Sequence, residues 1–209
     1  MASAPDERDP AIGVIELGSV AVGVVVGDAM VKSSPVGSIY AGTTHPGKYL
    51  VLVSGDTASV DEAMAVGLDL GGLDVLDSVF LPDIHPAVVG AMVIGEASAW
   101  AEADALGILE SSTVATAIDA ADAGVKAAEV ELAAIRLADG LGGKGYVMFS
   151  GTLAEVEAAI EGATARIERS SAAWSHRIVP QLHQAMASNL SSELRFMRRV
   201  ELRPAERDG

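Results

Sequence analysis

The chain has no cysteine, which removes disulfides, Cys-ligated zinc and Cys-ligated iron–sulfur clusters together. Aromatic residues make up only 4% of a chain that is 50% hydrophobic, so the apolar mass is Ala, Val, Leu and Ile. Positive charge is scarce. Fourteen Lys and Arg stand against 29 Asp and Glu, for a net charge of −15 and a pI near 4.5. Phosphate binding needs a basic face, so this balance argues against nucleic acid and against an anionic membrane as partners. Long hydrophobic runs are missing near the N-terminus; residues 17–27, between Glu16 and Asp28, make only 11 apolar-rich positions, too few to span a bilayer. Residues 1–9 are acidic and polar and read as a flexible tail, not a signal peptide. A mean hydropathy of +0.35 then requires either a large core or apolar surface shared between subunits.

The chain contains one pattern twice. Ala11-Ile12-Gly13-Val14-Ile15-Glu16 returns as Ala105-Leu106-Gly107-Ile108-Leu109-Glu110, and Asp28-Ala29-Met30-Val31-Lys32 returns as Asp122-Ala123-Gly124-Val125-Lys126, both 94 positions on. Residues 11–32 and 105–126 align without a gap and share 9 of 22 identities. Gly47-Lys48 and Ser54-Gly55 recur 96 positions later, and Pro82-x-x-His85 recurs 98 later as Pro180-x-x-His183. The growing offset is that of small loop insertions around a kept core. Two copies of domain length are a tandem duplication, not a solenoid. Fusing two like domains points to symmetric assembly.

In the first copy the pattern predicts a strand at 11–16 and a helix at 19–32 with Ser19 as N-cap and Pro35 beyond its end. A strand at 36–41, a polar loop at 42–48 and a strand at 49–54 follow. Asp56 caps a helix that ends at Gly71-Gly72, a strand runs over 73–81 to Pro82, and Pro86 opens an exit helix to residue 97. The second copy predicts strand 105–110, helix 113–128, strand 131–137, loop 139–145, strand 146–150, helix 153–167, strand 173–179 and exit helix 181–187. The order βαββαβ is the ferredoxin-like α/β (α+β) unit, present twice. The domains are therefore a tail at 1–9, a first unit at 10–99, a second at 104–187, and a basic extension at 188–209 carrying Arg195, Arg198, Arg199, Arg203 and Arg207.

Little in the chain carries reactive chemistry. Gly140-Leu141-Gly142-Gly143-Lys144 lacks the Ser or Thr after its lysine and precedes a strand, so it is a loop between strands and not a phosphate cradle. The histidines are His45, His85, His176 and His183, and none forms an H-E-x-x-H pair. His85 and His183 are repeat-equivalent, which ties them to the fold or the assembly, whereas His45 has no counterpart. No Ser/His/Asp set stands out, so no catalytic residue, metal site or cofactor is assigned. Lys32 and Lys126 end equivalent helices, where a cation contributes ~0.3–1 kcal/mol.

The run from Ala105 to Leu132, with the matching strings of the first copy at 11–16 and 28–32 and Ser54-Gly55-Asp56, closely resembles the bacterial microcompartment (BMC) shell domain over about residues 11–187. Each copy opens with Ala-x-Gly-x-x-Glu, as in the unpermuted tandem type. The resemblance implies a homotrimer that mimics a hexamer, a pseudohexameric tile that self-assembles edge to edge with other shell proteins. Such tiles form a polyhedral shell in the bacterial cytoplasm around encapsulated enzymes, which are candidate partners, with a central pore for metabolites. By alignment the pore is lined by Thr43, Thr44, His45, Pro46, Gly47 and Lys48 and by Gly140, Leu141, Gly142, Gly143 and Lys144. Some tandem relatives carry Cys-Pro-Gly-Lys there and hold an iron–sulfur cluster; this chain has His45 in that place, so no cluster is expected, and three His45 imidazoles would set pore polarity. The tile edge is implied at Lys32 and Lys126, with Asp83, His85, Gln181 and His183 from a motif that is commonly Pro-Arg-Pro-His and here lacks its arginine in both copies. Two other readings stand beside this one: a small-molecule-binding ferredoxin-like sensor, and an enzyme built on His45.

Overall fold

The computed structural model describes residues 11–94, 104–138 and 140–190. The expectations for the tail at 1–9, the end of the first exit helix, the junction at 100–103 and the extension from 191 onward lie outside these residues. The first copy runs β1 (Ala11–Leu17), α1 (Val20–Ser33), β2 (Ser38–Thr44), β3 (Lys48–Gly55), α2 (Thr57–Gly71), β4 (Val75–Leu81) and α3 (Pro86–Ile94). The second runs β5 (Ala105–Ser111), α4 (Val114–Ala127), β6 (Glu131–Leu137), β7 (Gly145–Gly151), α5 (Leu153–Ile167), β8 (Trp174–Val179) and α6 (Gln184–Leu190). Each copy folds its strands into an antiparallel sheet, in the orders β2-β3-β1-β4 and β6-β7-β5-β8.

Local chemistry sets most of these ends. Ser19 accepts from the Val22 amide at 3.3 Å and starts α1. Asp56 accepts from the Ala58 and Ser59 amides at 3.1 and 3.0 Å, and from the Ser59 hydroxyl at 2.6 Å. Thr152 and Glu155 form a reciprocal capping box at the equivalent helix. These bonds, led by the hydroxyls of Ser59 and Thr152, hold the Asp56 and Glu155 carboxyls below their usual range. His85 and His183 play the same fold role, their Nδ1 atoms accepting from the Ala87 and Ala185 amides, both at 3.2 Å, at the starts of α3 and α6.

Several boundaries differ from the sequence reading. β2 begins at Ser38 and runs on to Thr44, because Thr43–Tyr49 and Thr44–Lys48 extend the ladder; the polar loop expected over 42–48 shrinks to His45, Pro46 and Gly47. Residues 72–74 form a turn of 3₁₀ helix before β4 instead of opening that strand. β8 starts at Trp174, and α6 starts at Gln184, where His183 caps it, and not at residue 181. The second inter-strand loop stays long, its turn built by positive φ at Ala138 (56°), Gly140, Gly142 and Gly143.

The alternation of β1 splits the core into two layers. Ala11, Ile15 and Leu17 pack with Val51 and Val53 under Val26, Met30, Val60 and Met64 of α1 and α2. Ile12 and Val14, on the opposite face, join Val79, Leu81 and Val88 in a cluster that continues into the second copy through Leu109, Ile118, Val147 and Phe149. One apolar core therefore crosses the boundary between copies, as α4 lies against β4. A boundary buried in this way fixes the two units relative to each other.

Candidate functional site

The seam between the copies starts from two carboxylates. Glu16 on β1 and Asp77 on β4 sit opposite each other in register. Both face the start of α4, whose own Thr113 makes no side-chain cap. Glu16 Oε2 accepts from the Val114 amide at 2.7 Å. Asp77 Oδ2 accepts from the Thr116 amide at 3.1 Å, from the Thr116 hydroxyl at 2.7 Å and from the Thr113 hydroxyl at 2.5 Å. The Thr116 proton being so used, Ser170, 2.7 Å away, is the donor in their contact. The helix is thus capped from the other copy, with negative charge at its positive end.

Lys48 completes this end of the seam. Its ammonium donates to Glu16 Oε1 at 2.5 Å, to the Ser112 carbonyl at 3.1 Å and to the Gly143 carbonyl at 3.3 Å, using all three protons. The Glu16 side chain is fully buried and that of Lys48 is 17% exposed. A charge pair taken out of water is held only with such additional bonds. Lys48, expected on the pore, therefore has its ammonium in the seam.

The two loops expected to line the pore meet beside it. A Cβ on Gly143, whose φ is +81°, would lie 2.8 Å from the His45 carbonyl oxygen and 2.9 Å from Pro46. Only glycine fits between them. Thr43, His45, Pro46, Gly47, Gly140, Gly142 and Lys144 are exposed, Thr44 and Leu141 are half-buried, and Gly143 is buried.

At the other end of the seam the His85 amide donates to Asp122 Oδ1 at 2.7 Å. Lys126 donates to the Asp83 carbonyl and to Asp122 Oδ2, the latter at 2.7 Å. Three residues expected at a tile edge are thus joined across the two copies, Asp83 to Lys126 directly and His85 through Asp122, with the Lys126 side chain still 40% exposed. Their counterparts stand open. Asp28 and Lys32 pair at 2.5 Å with side chains 57% and 72% exposed, and Gln181 and His183 are exposed.

The repeat-equivalent helices differ in the same sense. On α4, Val114, Ile118 and Val125 are 2%, 1% and 9% exposed; on α1, the equivalent Val20, Val24 and Val31 are 42%, 53% and 38% exposed. Glu110 and Lys144, the counterparts of Glu16 and Lys48, are 49% and 54% exposed and pair at 3.3 Å. On the outer side of α4, Asp119 pairs with Arg166 at 2.9 Å; burial raises the Asp119 carboxyl above its usual range, against the pull of that arginine. The first copy has Val25 and Leu70 in these places.

Sequence reasoning missed Glu16, Asp77, Thr113 and Thr116. Glu16 left a signal, a glutamate repeated as Glu110 in an otherwise apolar strand. Asp77 left none, because its counterpart is Ser175. Among the described residues no group of three or more His, Asp or Glu is arranged to hold a metal ion.

Comparison with known proteins gives the family and the fold. The BMC domain family matches the chain twice, at residues 11–84 and 105–182. The bacterial microcompartment shell protein PduT of Citrobacter freundii is 37% identical over 176 residues, covering 84% of this chain and 95% of that protein. A microcompartments protein from Desulfitobacterium hafniense has a similar structure, with a TM-score of 0.70 and 34% identity over 85% of this chain and 98% of its own. The fused permuted hexameric shell protein of the RMM microcompartment shares the fold, with a TM-score of 0.55 and 24% identity over 75% of this chain and 83% of its own.

Proposed function

Because the chain belongs to the BMC domain family, as a structural shell protein whose place is the microcompartment shell, we propose that three copies close into a ring of six domains that serves as one tile. The observation that carries this reading is the unequal burial of α1 and α4. Inside the chain, the β1–β4 face of the first copy covers α4 of the second. The contact is heterologous, so each copy retains one surface that the other copy does not cover: α1 on the first, and the β5–β8 face on the second. That face packs against a cluster that includes Ala187 of α6, and it leaves Ile108 half-buried where the first copy buries Val14. A heterologous contact repeated with rotation closes into a ring or runs on as a filament; the flat shell tile is the closed form.

In the ring, Asp28 and Lys32 would meet Gln181 and His183 of the next chain as Asp122 and Lys126 meet Asp83 and His85 within one. The loops at 45–47 and 140–143 would surround the axis, three of each, with the exposed His45 setting the polarity of a metabolite pore. The role is structural and not catalytic, and tiles would join other shell proteins at their outer edges. The relatives give no support to a sensor. Native mass measurement at micromolar concentration should give three chains, and microscopy of overexpressed protein should show sheets, tubes or closed particles. A stable single chain would contradict the reading.

A further inference from the structure

We infer that Glu110 and Lys144 are the open half of an inter-chain clamp, whose other half is the carbonyl groups of Gly18 and Gly47 and the first amide of α1 on a second copy of this chain. The inference rests on the ring reading and adds the contact that holds the pore rim. The closed form of the clamp exists inside the chain. Lys48 joins its own sheet to the second copy through Glu16, the Ser112 carbonyl and the Gly143 carbonyl, while Glu16 takes the Val114 amide with its other oxygen. Moved by the repeat offsets, each atom has a counterpart: Lys144 for Lys48, Glu110 for Glu16, Gly18 for Ser112, Gly47 for Gly143 and Val20 for Val114.

Half of that set is already formed. Lys144 faces Glu110 at 3.3 Å, but both side chains remain about half exposed where the closed clamp leaves Glu16 fully buried and Lys48 17% exposed. The receiving half also has room. A Cβ on Gly143 would strike the His45 carbonyl and Pro46, whereas a Cβ on Gly47 meets nothing within 4 Å, so the space beside Gly47 is the space a neighbour's loop at Leu141 and Gly142 would fill. Around the ring, Lys48 and Lys144 would alternate, each anchoring the loop of the next domain. Lys144 is thus a positioning residue for the loop that carries His45.

The lack of native cysteine allows a direct test. With Gly18→Cys and Lys144→Cys in one chain, a short bis-maleimide should link chains into products of up to three, because the two positions meet only between copies. The control pair Lys48→Cys and Ser112→Cys should link within a single chain. Lys144→Gln should raise the concentration at which the trimer dissociates by about tenfold or more, as expected when a hydrogen-bonded charge loses its partner. A trimeric parent whose 18/144 pair gives no inter-chain product, or whose Lys144→Gln variant dissociates unchanged, overturns the clamp and leaves the ring standing. A monomeric parent overturns both.

Discussion

Glu16 and Glu110 are the same residue twice in sequence and two different residues in energy. Glu16 is sealed at the seam with Lys48 and the Val114 amide, and the Glu110 side chain is 49% exposed with Lys144 3.3 Å away. Removing one member of a buried pair strands the other charge, which typically costs about 3–5 kcal/mol, whereas an exposed pair is worth about 0–1 kcal/mol. Glu16→Ala should therefore lower the stability of the dissociated chain by about 3–5 kcal/mol, and Glu110→Ala by no more than about 1 kcal/mol. Urea unfolding of the two variants measures this directly; equal losses would mean that the seam is not closed in solution.

The elements show how the duplicated units diverged without losing their fold. Where α1 meets β3, Gly23 lies under Tyr49; at the equivalent crossing Ala117 lies over Gly145. About two turns further on the exchange reverses, with Met30 and Val53 in the first copy and Gly124 and Phe149 in the second. A Cβ on Gly124 would sit 2.3 Å from Phe149. The helix–sheet distance is kept by trading volume between partners, which close packing enforces. Gly124→Met alone should destabilise the chain by about 1–3 kcal/mol through overpacking. Adding Phe149→Val recreates the first copy's pair and should restore a good part of the loss. Thermal unfolding of the single and double variants decides it, and additive losses would show that the two positions do not share one space.

At the scale of the whole molecule, the decisive fact is that one domain surface is covered inside the chain and its twin is not. Val24 is 53% exposed on α1 while Ile118, its twin on α4, is 1% exposed. Val24→Asp should leave the folded chain within about 0.5 kcal/mol of the parent, as surface changes usually do. The same change should weaken trimer formation strongly, because it buries an unpaired charge in the ring. Native mass and unfolding of one sample separate the two effects, and a variant that still forms trimers at the parent's concentration would remove α1 from the interface.

The duplicated βαββαβ order and the caps at Ser19 and Asp56 were legible along the chain, because hydrophobic period, capping chemistry and repeat spacing need no knowledge of long-range contacts; the shell-domain relationship came from the resemblance of the repeated strings. α5 came out at residues 153–167 as expected, and α4 within one residue at each end. Local chemistry also misled at Thr44, where polar residues read as loop but cross-strand pairing carried β2 onward. That Lys48, Asp83, His85 and Lys126 hold the two copies together, and that Asp77 caps a helix of the other copy, is visible only in the folded chain. These contacts join residues 36–98 positions apart. Equivalent residues have equal local preferences, so which twin is buried depends on which domain the chain happens to pack beside it.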